Sequence, residues 1–156
     1  MAGQIHIRIE GLPEALAKLT PQQANGPINR FLDRGAIYIQ SQARGNAPVD
    51  TGRLRNSIGV EEPSDRQRII GANTDYAEYV ETGTRPHFPP PAALEGWAAR
   101  HGFGPGGWFM VARAISRSGT KAQPYMRPAA EAGETFIKSL IPTLAAEIEA
   151  AYGGAA

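Results

Sequence analysis

Hydrophobic and polar residues alternate first with period two and then with the period of a helix. Ile5, Ile7 and Ile9 alternate with His6, Arg8 and Glu10, which predicts a strand with one buried face. Gly11 ends it, and Leu12, Leu16 and Leu19, with Pro13 near the first turn, predict a short amphipathic helix that Thr20-Pro21 interrupts. Asn25-Gly26-Pro27 then offers a helix entry, with Pro27 in a first-turn position. Ile28, Phe31, Leu32, Ile39 and Ala43 follow at helical spacing, while Arg30, Asp33, Arg34, Gln40 and Arg44 fall mostly on other faces. The predicted helix covers residues 28–44, and Gly35 and Ala36 mark a place where a neighbour can come close. Burying its four large apolar side chains contributes about 1.5–3 kcal/mol each, which makes it a central core helix. Gly45-Asn46 closes it with residues that tolerate the left-handed conformation.

Residues 47–58 form a dense joint between this helix and the next strand. Pro48 pushes Ala47 out of the α region; Asp50 and Thr51 offer acceptors to free backbone N–H groups; Gly52 permits a sharp bend. Leu54 and Ile58, four apart, face the same way in a short helical turn, leaving Arg53, Arg55 and Asn56 to face elsewhere. Residues 57–62 and 67–72 then predict a hairpin turned by Pro63-Ser64-Asp65, with polar Arg66, Gln67 and Arg68 marking an exposed part. In residues 75–81, Tyr76, Tyr79 and Val80 suit one helical turn laid on the sheet, broken by the Thr82–Pro86 segment that contains Gly83 and Arg85.

The segment 86–107 is rich in proline and glycine. His87-Phe88-Pro89-Pro90-Pro91 favours extended chain, Leu94, Trp97 and Ala98 suggest a short helix, and residues 102–107 hold four glycines and Pro105. It is either a mobile loop or an excursion that orders against a partner, and Trp97 and Trp108 argue that something covers it. Residues 108–118 fit a strand or a helix. Helix is favoured, because Val111, Ala112 and Ile115 share a face, Arg113 and Arg117 stack opposite, and Gly119 is a good stop. Gln123-Pro124-Tyr125-Met126-Arg127-Pro128 is a rigid lead-in to a last helix starting near Pro128. Its apolar face comprises Phe136, Ile137, Leu140, Ile141, Leu144 and Ile148, and Pro142 should kink or split it at a cost of about 3 kcal/mol. Residues 153–156 are expected to fray. No internal repeat and no second domain is evident over the 156 residues, a length that suits one domain with a real core.

Charge adds one feature. The net value is only +1, so no bulk attraction to nucleic acid or membrane is expected. Yet residues 96–130 hold five basic residues (Arg100, Arg113, Arg117, Lys121, Arg127) and no carboxylate, while residues 61–81 hold six carboxylates and two arginines. Opposite sectors on one chain favour head-to-tail pairing into rings or filaments, or else are simply solvated faces. With no cysteine, disulfides, thiolate metal sites and thiol nucleophiles are excluded. The chain does not open with a basic stretch and an apolar run, and no apolar stretch approaches the ~20 residues of a membrane span, so a soluble intracellular protein without membrane contact is expected.

Catalytic and metal-binding constellations are not found in the pattern. His6, His87 and His101 have no ligand spacing, and residues 102–107 resemble a phosphate loop only in composition, lacking the terminal Lys-Ser/Thr. Ser57, Ser116 and Ser118 have no evident base, and Glu61, Glu62, Asp75, Glu78 and Glu81 suit a solvated acidic face better than a catalytic pair. The expectation is no enzyme and no cofactor. The arginines are the residues suited to contact. Arg53, Arg55, Arg85, Arg113, Arg117 and Arg127 can meet carboxylates or phosphates, because burying an unpaired guanidinium is costly. A small nucleic-acid-binding module using the basic sector at 100–127 is the alternative, although no recognised motif frames it.

Three motifs in order carry a resemblance: APVDTGRLRNSI at 47–58, DYAEYVETGT at 75–84 and QPYMRPA at 123–129. Together they resemble the small neck proteins of long-tailed bacteriophages, the tail-completion or head–tail joining family typified by gene product ten of lambda-like phages. The resemblance spans about residues 5–150. It implies a single α+β domain in which a small antiparallel sheet packs against a long helix of the N-terminal half and a C-terminal helix. It further implies a structural virion protein, present in the host cytoplasm during assembly. Such a subunit would form a ring, a hexamer in our reading, at the head–tail junction, with DNA passing through its lumen without sequence specificity. Neighbouring neck proteins such as the stopper, tail terminator or tail tube would be its partners. Within the motifs Pro48, Asp50, Thr51, Gly52, Leu54, Tyr76, Tyr79, Gly83, Pro124 and Pro128 would maintain the fold, and the arginines would make the contacts. The stretch 86–108 is longer than in the shortest family members.

Overall fold

The computed structural model describes residues 4–8 and 21–153. Strand β1 (Ile5–Arg8) is followed by helix α1 (Pro21–Asn46), a short helix α2 (Arg53–Ser57), strands β2 (Ile58–Ser64) and β3 (Gln67–Ala72), and helix α3 (Ala77–Thr82). Helices α4 (Pro91–Arg100), α5 (Trp108–Ser118) and α6 (Met126–Gly153) complete the chain. The fold is α+β, as expected. The helix expected around Leu12, Leu16 and Leu19 lies outside the described residues, as do Ile9 and residues 154–156 of the tail.

The three strands form one antiparallel sheet in the order β1-β3-β2, with Ile70 of the central strand opposite both Ile5 and Val60. Alternation puts Ile58, Arg68, Ile70 and Ile7 in the buried set. The long apolar stripe of α1 covers this face, and Ile28, Leu32, Ala36, Ile39 and Ala43 are all but fully buried. The sheet and α6 both pack on α1, which makes it the shared wall of the core.

Two glycines set how closely α1 and α6 approach. A Cβ on Gly133 of α6 would sit 2.2 Å from Ile39 Cγ1, and a Cβ on Gly35 of α1 would sit 3.0 Å from Ile137 Cγ1. Each helix therefore offers a glycine where the other presents an isoleucine. Tyr38 stacks on Phe136 with ring centroids 4.1 Å apart, and Arg30 and Arg34 both reach Glu147 along the exposed seam.

Several expectations are corrected. α1 begins at Pro21, itself a favourable first position, and carries Pro27 inside it instead of starting there. It ends without a left-handed residue, because Gly45 and Asn46 keep negative φ and Pro48 supplies the stop; the bend comes at Gly52, with φ of 80°. Pro63 belongs to β2, not the turn. It sits at a register shift on an edge strand, where a missing N–H is tolerated, and Asp65-Arg66 make the turn. Arg68 is buried, not exposed: it shares the core face with Ile70 because Nε donates to Asp33 at 2.7 Å and one guanidinium nitrogen to the carbonyls of Ser64 and Gln67. Pro142 does not split α6, which runs 28 residues with Pro142 on its exposed side. Tyr79 is 58% exposed and Tyr76 36%, so α3 lies on the core through Ala77 and Val80 more than through its tyrosines.

Gly133→Ala should destabilise the protein by about 1–3 kcal/mol in urea unfolding, since the added methyl collides with Ile39 despite the better helix propensity of alanine. Gly35→Ala, with a looser contact, should cost less.

Candidate functional site

α2 is a five-residue turn held by its own sequence. Gly52 precedes it in the left-handed region, Asn56 N–H donates to Gly52 O, and Leu54 and Ile58 are buried as predicted while Arg53, Arg55 and Asn56 are exposed. α1 braces it: Gln40 Nε2 and both Nε and Nη2 of Arg44 donate to the carbonyl of Ile58, at 3.0, 3.1 and 2.7 Å. Asp50 departs from expectation. Its carboxylate accepts a two-pronged ion pair from Arg100 of α4, with Nε to Oδ1 at 2.9 Å, and not the backbone N–H groups. Thr51 does accept from the N–H of Arg53, at 3.4 Å. The Arg100 hydrogen bond holds the Asp50 carboxyl below its ordinary value near 3.8 and lifts the guanidinium correspondingly.

The second and third motifs meet through one side chain. A helix leaves the N–H groups of its first positions free. For α6 these belong to Tyr125, Met126 and Arg127, and the next position is Pro128, which has none. Glu81 satisfies all three: Oε2 accepts from Tyr125 N at 2.7 Å and Met126 N at 2.9 Å, and Oε1 from Arg127 N at 3.0 Å. A carboxylate there also opposes the positive end of the helix dipole. Gln123 N–H donates to Val80 O at 2.8 Å, and Asn46, beside the first motif, reaches the carbonyl of Tyr125 at 3.5 Å. The second and third motifs therefore meet at Tyr125, and Asn46, next to the first, reaches the same residue. That side chain is fully buried, and its hydroxyl finds no partner among the described residues. Burial first, then the charges of Glu81 and Tyr76, pushes its phenol up to about 12.

The end of the second motif clamps onto the segment after α5. Thr84 and Thr120 form an antiparallel bridge, joined by Thr84 N to Thr120 O at 3.1 Å and by their hydroxyls at 3.0 Å. Gly83 and Gly119 both have φ of 72°. A Cβ on Gly83 would lie 2.5 Å from Thr120 O, and one on Gly119 would lie 1.9 Å from Thr84 O, so only glycine fits at either place.

All six candidate arginines, Arg53, Arg55, Arg85, Arg113, Arg117 and Arg127, are exposed. Among the described residues none of them enters an ion pair, unlike Arg30, Arg34, Arg68 and Arg100. The clamp brings the backbone of Arg85 against Gly119, two residues beyond Arg117, while Arg53 and Arg55 stand on α2. His87 and His101 direct Nδ1 to the backbone carbonyls of Arg85 and Trp97. No group of three or more histidines and carboxylates able to hold a metal ion occurs among the described residues, and no helix there is long and apolar enough to cross a membrane.

Sequence reasoning missed Glu81, which it placed on a solvated acidic face, and Arg100 as the partner of Asp50. Glu81 and Tyr125 are 44 positions apart, and nothing in local spacing joins them. The one signal was that the lead-in to α6 supplies no Ser, Thr, Asp or Asn to cap it, so an acceptor had to come from elsewhere.

This α+β chain, tied together by capping and clamping contacts, is similar over part of its length to a bacteriophage family. Residues 10–83 match the family model HK97-gp10_like, whose description is "Bacteriophage HK97-gp10, putative tail-component". The match supports the gp10-like phage tail family to which the motifs point, and it spans the first motif and the second as far as Gly83. No curated protein and no solved structure matches the chain.

Removing the cap by Glu81→Ala should cost about 2–3 kcal/mol in chemical unfolding, because it strands N–H groups at buried Tyr125 and Met126; Glu81→Gln, which keeps an acceptor, should cost roughly half. Tyr125→Phe should leave stability unchanged or raise it. Tyr125 favours the folded state fully below pH 10, its ordinary value, and that contribution is lost as pH rises through about 12. Alkaline unfolding should therefore be shallower in Tyr125→Phe. Asp50, with its value lowered, favours the folded state above its ordinary value, and this is lost as pH falls through the folded value below 3.8. Its carbon-detected titration midpoint should rise back toward that value in Arg100→Gln.

Proposed function

We propose that this chain is a structural subunit of the neck of a tailed bacteriophage or prophage, a tail-completion or head–tail joining protein that assembles as a ring, hexameric in our reading. The match of residues 10–83 to a phage tail-component family carries the proposal. The joining of the second and third motifs at the Glu81–Tyr125 corner, with Asn46 next to the first motif reaching the same residue, favours it, because it ties these regions into one body suited to repeated packing. A tail component acts within the virion through contacts with other virion proteins, so the role is structural and not catalytic. Its neighbours would be stopper, terminator or tube proteins of the junction, with DNA in the lumen met through backbone charge alone.

Arg53 and Arg55 are the proposed docking contacts of the first motif. They project from a turn that buried Leu54 and Ile58 anchor, so the backbone that presents them is held in place. The paired substitution Arg53→Glu and Arg55→Glu should leave the subunit folded, by circular dichroism, and should yield filled heads and free tails in place of joined particles. Normal infectivity would remove the contact role of these two residues, and absence of the chain from the neck of purified virions would overturn the function itself.

A further inference from the structure

The helical hairpin of α4 and α5 stands apart from the core. The two helices pack chiefly on each other, and their buried residues, Ala98 and Ala112, do not join the core cluster. Phe88, Phe103, Phe109 and Met110 remain exposed on it, with Phe88 against Phe109 and Trp97 between His101 and Phe103. On α5, Met110, Arg113 and Arg117 recur at intervals of three and four and form one outward stripe beside Phe109. Met110 is 69% exposed and Phe109 51%. Methionine, aromatic and arginine side chains without carboxylates are the mixture enriched at protein interfaces.

A complementary surface exists on the same chain. α3 and the residue pair before it carry Asp75, Tyr76, Glu78 and Tyr79, all turned to solvent. The Thr84–Thr120 bridge fixes the foot of the hairpin next to the end of α3. Nevertheless, among the described residues no ion pair links Arg113 or Arg117 to Asp75 or Glu78. Two patches of opposite charge and matching aromatic character that leave each other unused within one subunit are suited to meet between subunits. Because the patches differ, the contact is heterologous and propagates head to tail.

We propose that the α4–α5 hairpin is the arm by which one copy of this chain grips the next, the Phe109, Met110, Arg113, Arg117 stripe seating on Asp75, Tyr76, Glu78 and Tyr79 of a second copy. The inference rests on the ring reading and assigns that ring its contact. The test is a charge swap in the full-length protein, read by sedimentation and native mass spectrometry at high protein concentration and low salt. One variant carries Arg113→Glu and Arg117→Glu, the other Asp75→Lys and Glu78→Lys; all four positions are exposed, and thermal unfolding checks that each variant folds. Each variant alone should self-associate at least tenfold more weakly than the unaltered chain. An equimolar mixture should recover assembly, since acidic arm then meets basic α3 and basic arm meets acidic α3. Assembly unchanged in either variant, or no recovery on mixing, overturns the arm while leaving a ring built through other faces. Loss of duplex DNA retention in the first variant with self-association intact also overturns it, and assigns the stripe to DNA. An unaltered chain that stays monomeric at every concentration overturns the arm; only its additional absence from the virion neck overturns the ring.

Discussion

A helix of 28 residues begins with N–H groups that need acceptors, and the lead-in to α6 supplies none of its own. Glu81 reaches across from α3 and takes three of them with one carboxylate, while Pro128 eliminates the fourth. This charge-assisted cap does more than end a helix tidily. It binds the short α3 turn, which has little apolar surface of its own, to the longest element of the fold. It also fixes where α6 starts, and so which of its faces meets α1. The glycine–isoleucine contacts at Gly133 and Gly35 work only in that register.

Each of the three motifs does a separate job around this corner. The first turns the chain from α1 into the sheet, with Arg44 and Gln40 gathered on the carbonyl of Ile58. The second carries the capping carboxylate and then a glycine that no other residue can replace beside Thr120. The third presents Tyr125, whose ring is fully buried in the core although its hydroxyl gains no partner among the described residues. A buried tyrosine in that position gives up hydrogen bonds to water in return for packing. The hairpin of α4 and α5 is joined to the body so formed by the threonine bridge and the Asp50–Arg100 pair.

Much of this was legible from periodicity. The stripe Ile28, Leu32, Ala36, Ile39 and Ala43 has the helical period, and it is the buried face of α1. The stop at Gly119, the pair Leu54 and Ile58 and the two strands of the hairpin were legible for the same reason: each depends on neighbours within a few positions. Local rules misled where a distant partner changed the balance. Arg68 looked exposed because a guanidinium is costly to bury, but Asp33 and two carbonyls compensate it. Tyr76 and Tyr79 were expected on the sheet because Tyr76 stands three and four positions from Tyr79 and Val80, but Ala77 and Val80 face the core and leave Tyr79 mostly exposed and Tyr76 about one third exposed. Pro27 looked like the start of α1 and Pro142 like a break in α6, but packing of α1 on the sheet and on α6 outweighs one lost hydrogen bond in each helix.

The amino-acid sequence by itself determined the elements, the α+β class, the opposed charge sectors and the motif order that points to a phage tail component. The elements and the charge sectors arise from period, turn chemistry and composition, which act over a few residues or over the whole chain, while the α+β class and the phage reading came with the resemblance that the motifs carry. Tertiary structure alone decided which residues hold the motifs together. Glu81 and Tyr125, Asp50 and Arg100, and Thr84 and Thr120 are pairs separated by long stretches, and a hydrogen bond of about 3 Å is chosen by where folding brings two groups, not by where they stand in the chain.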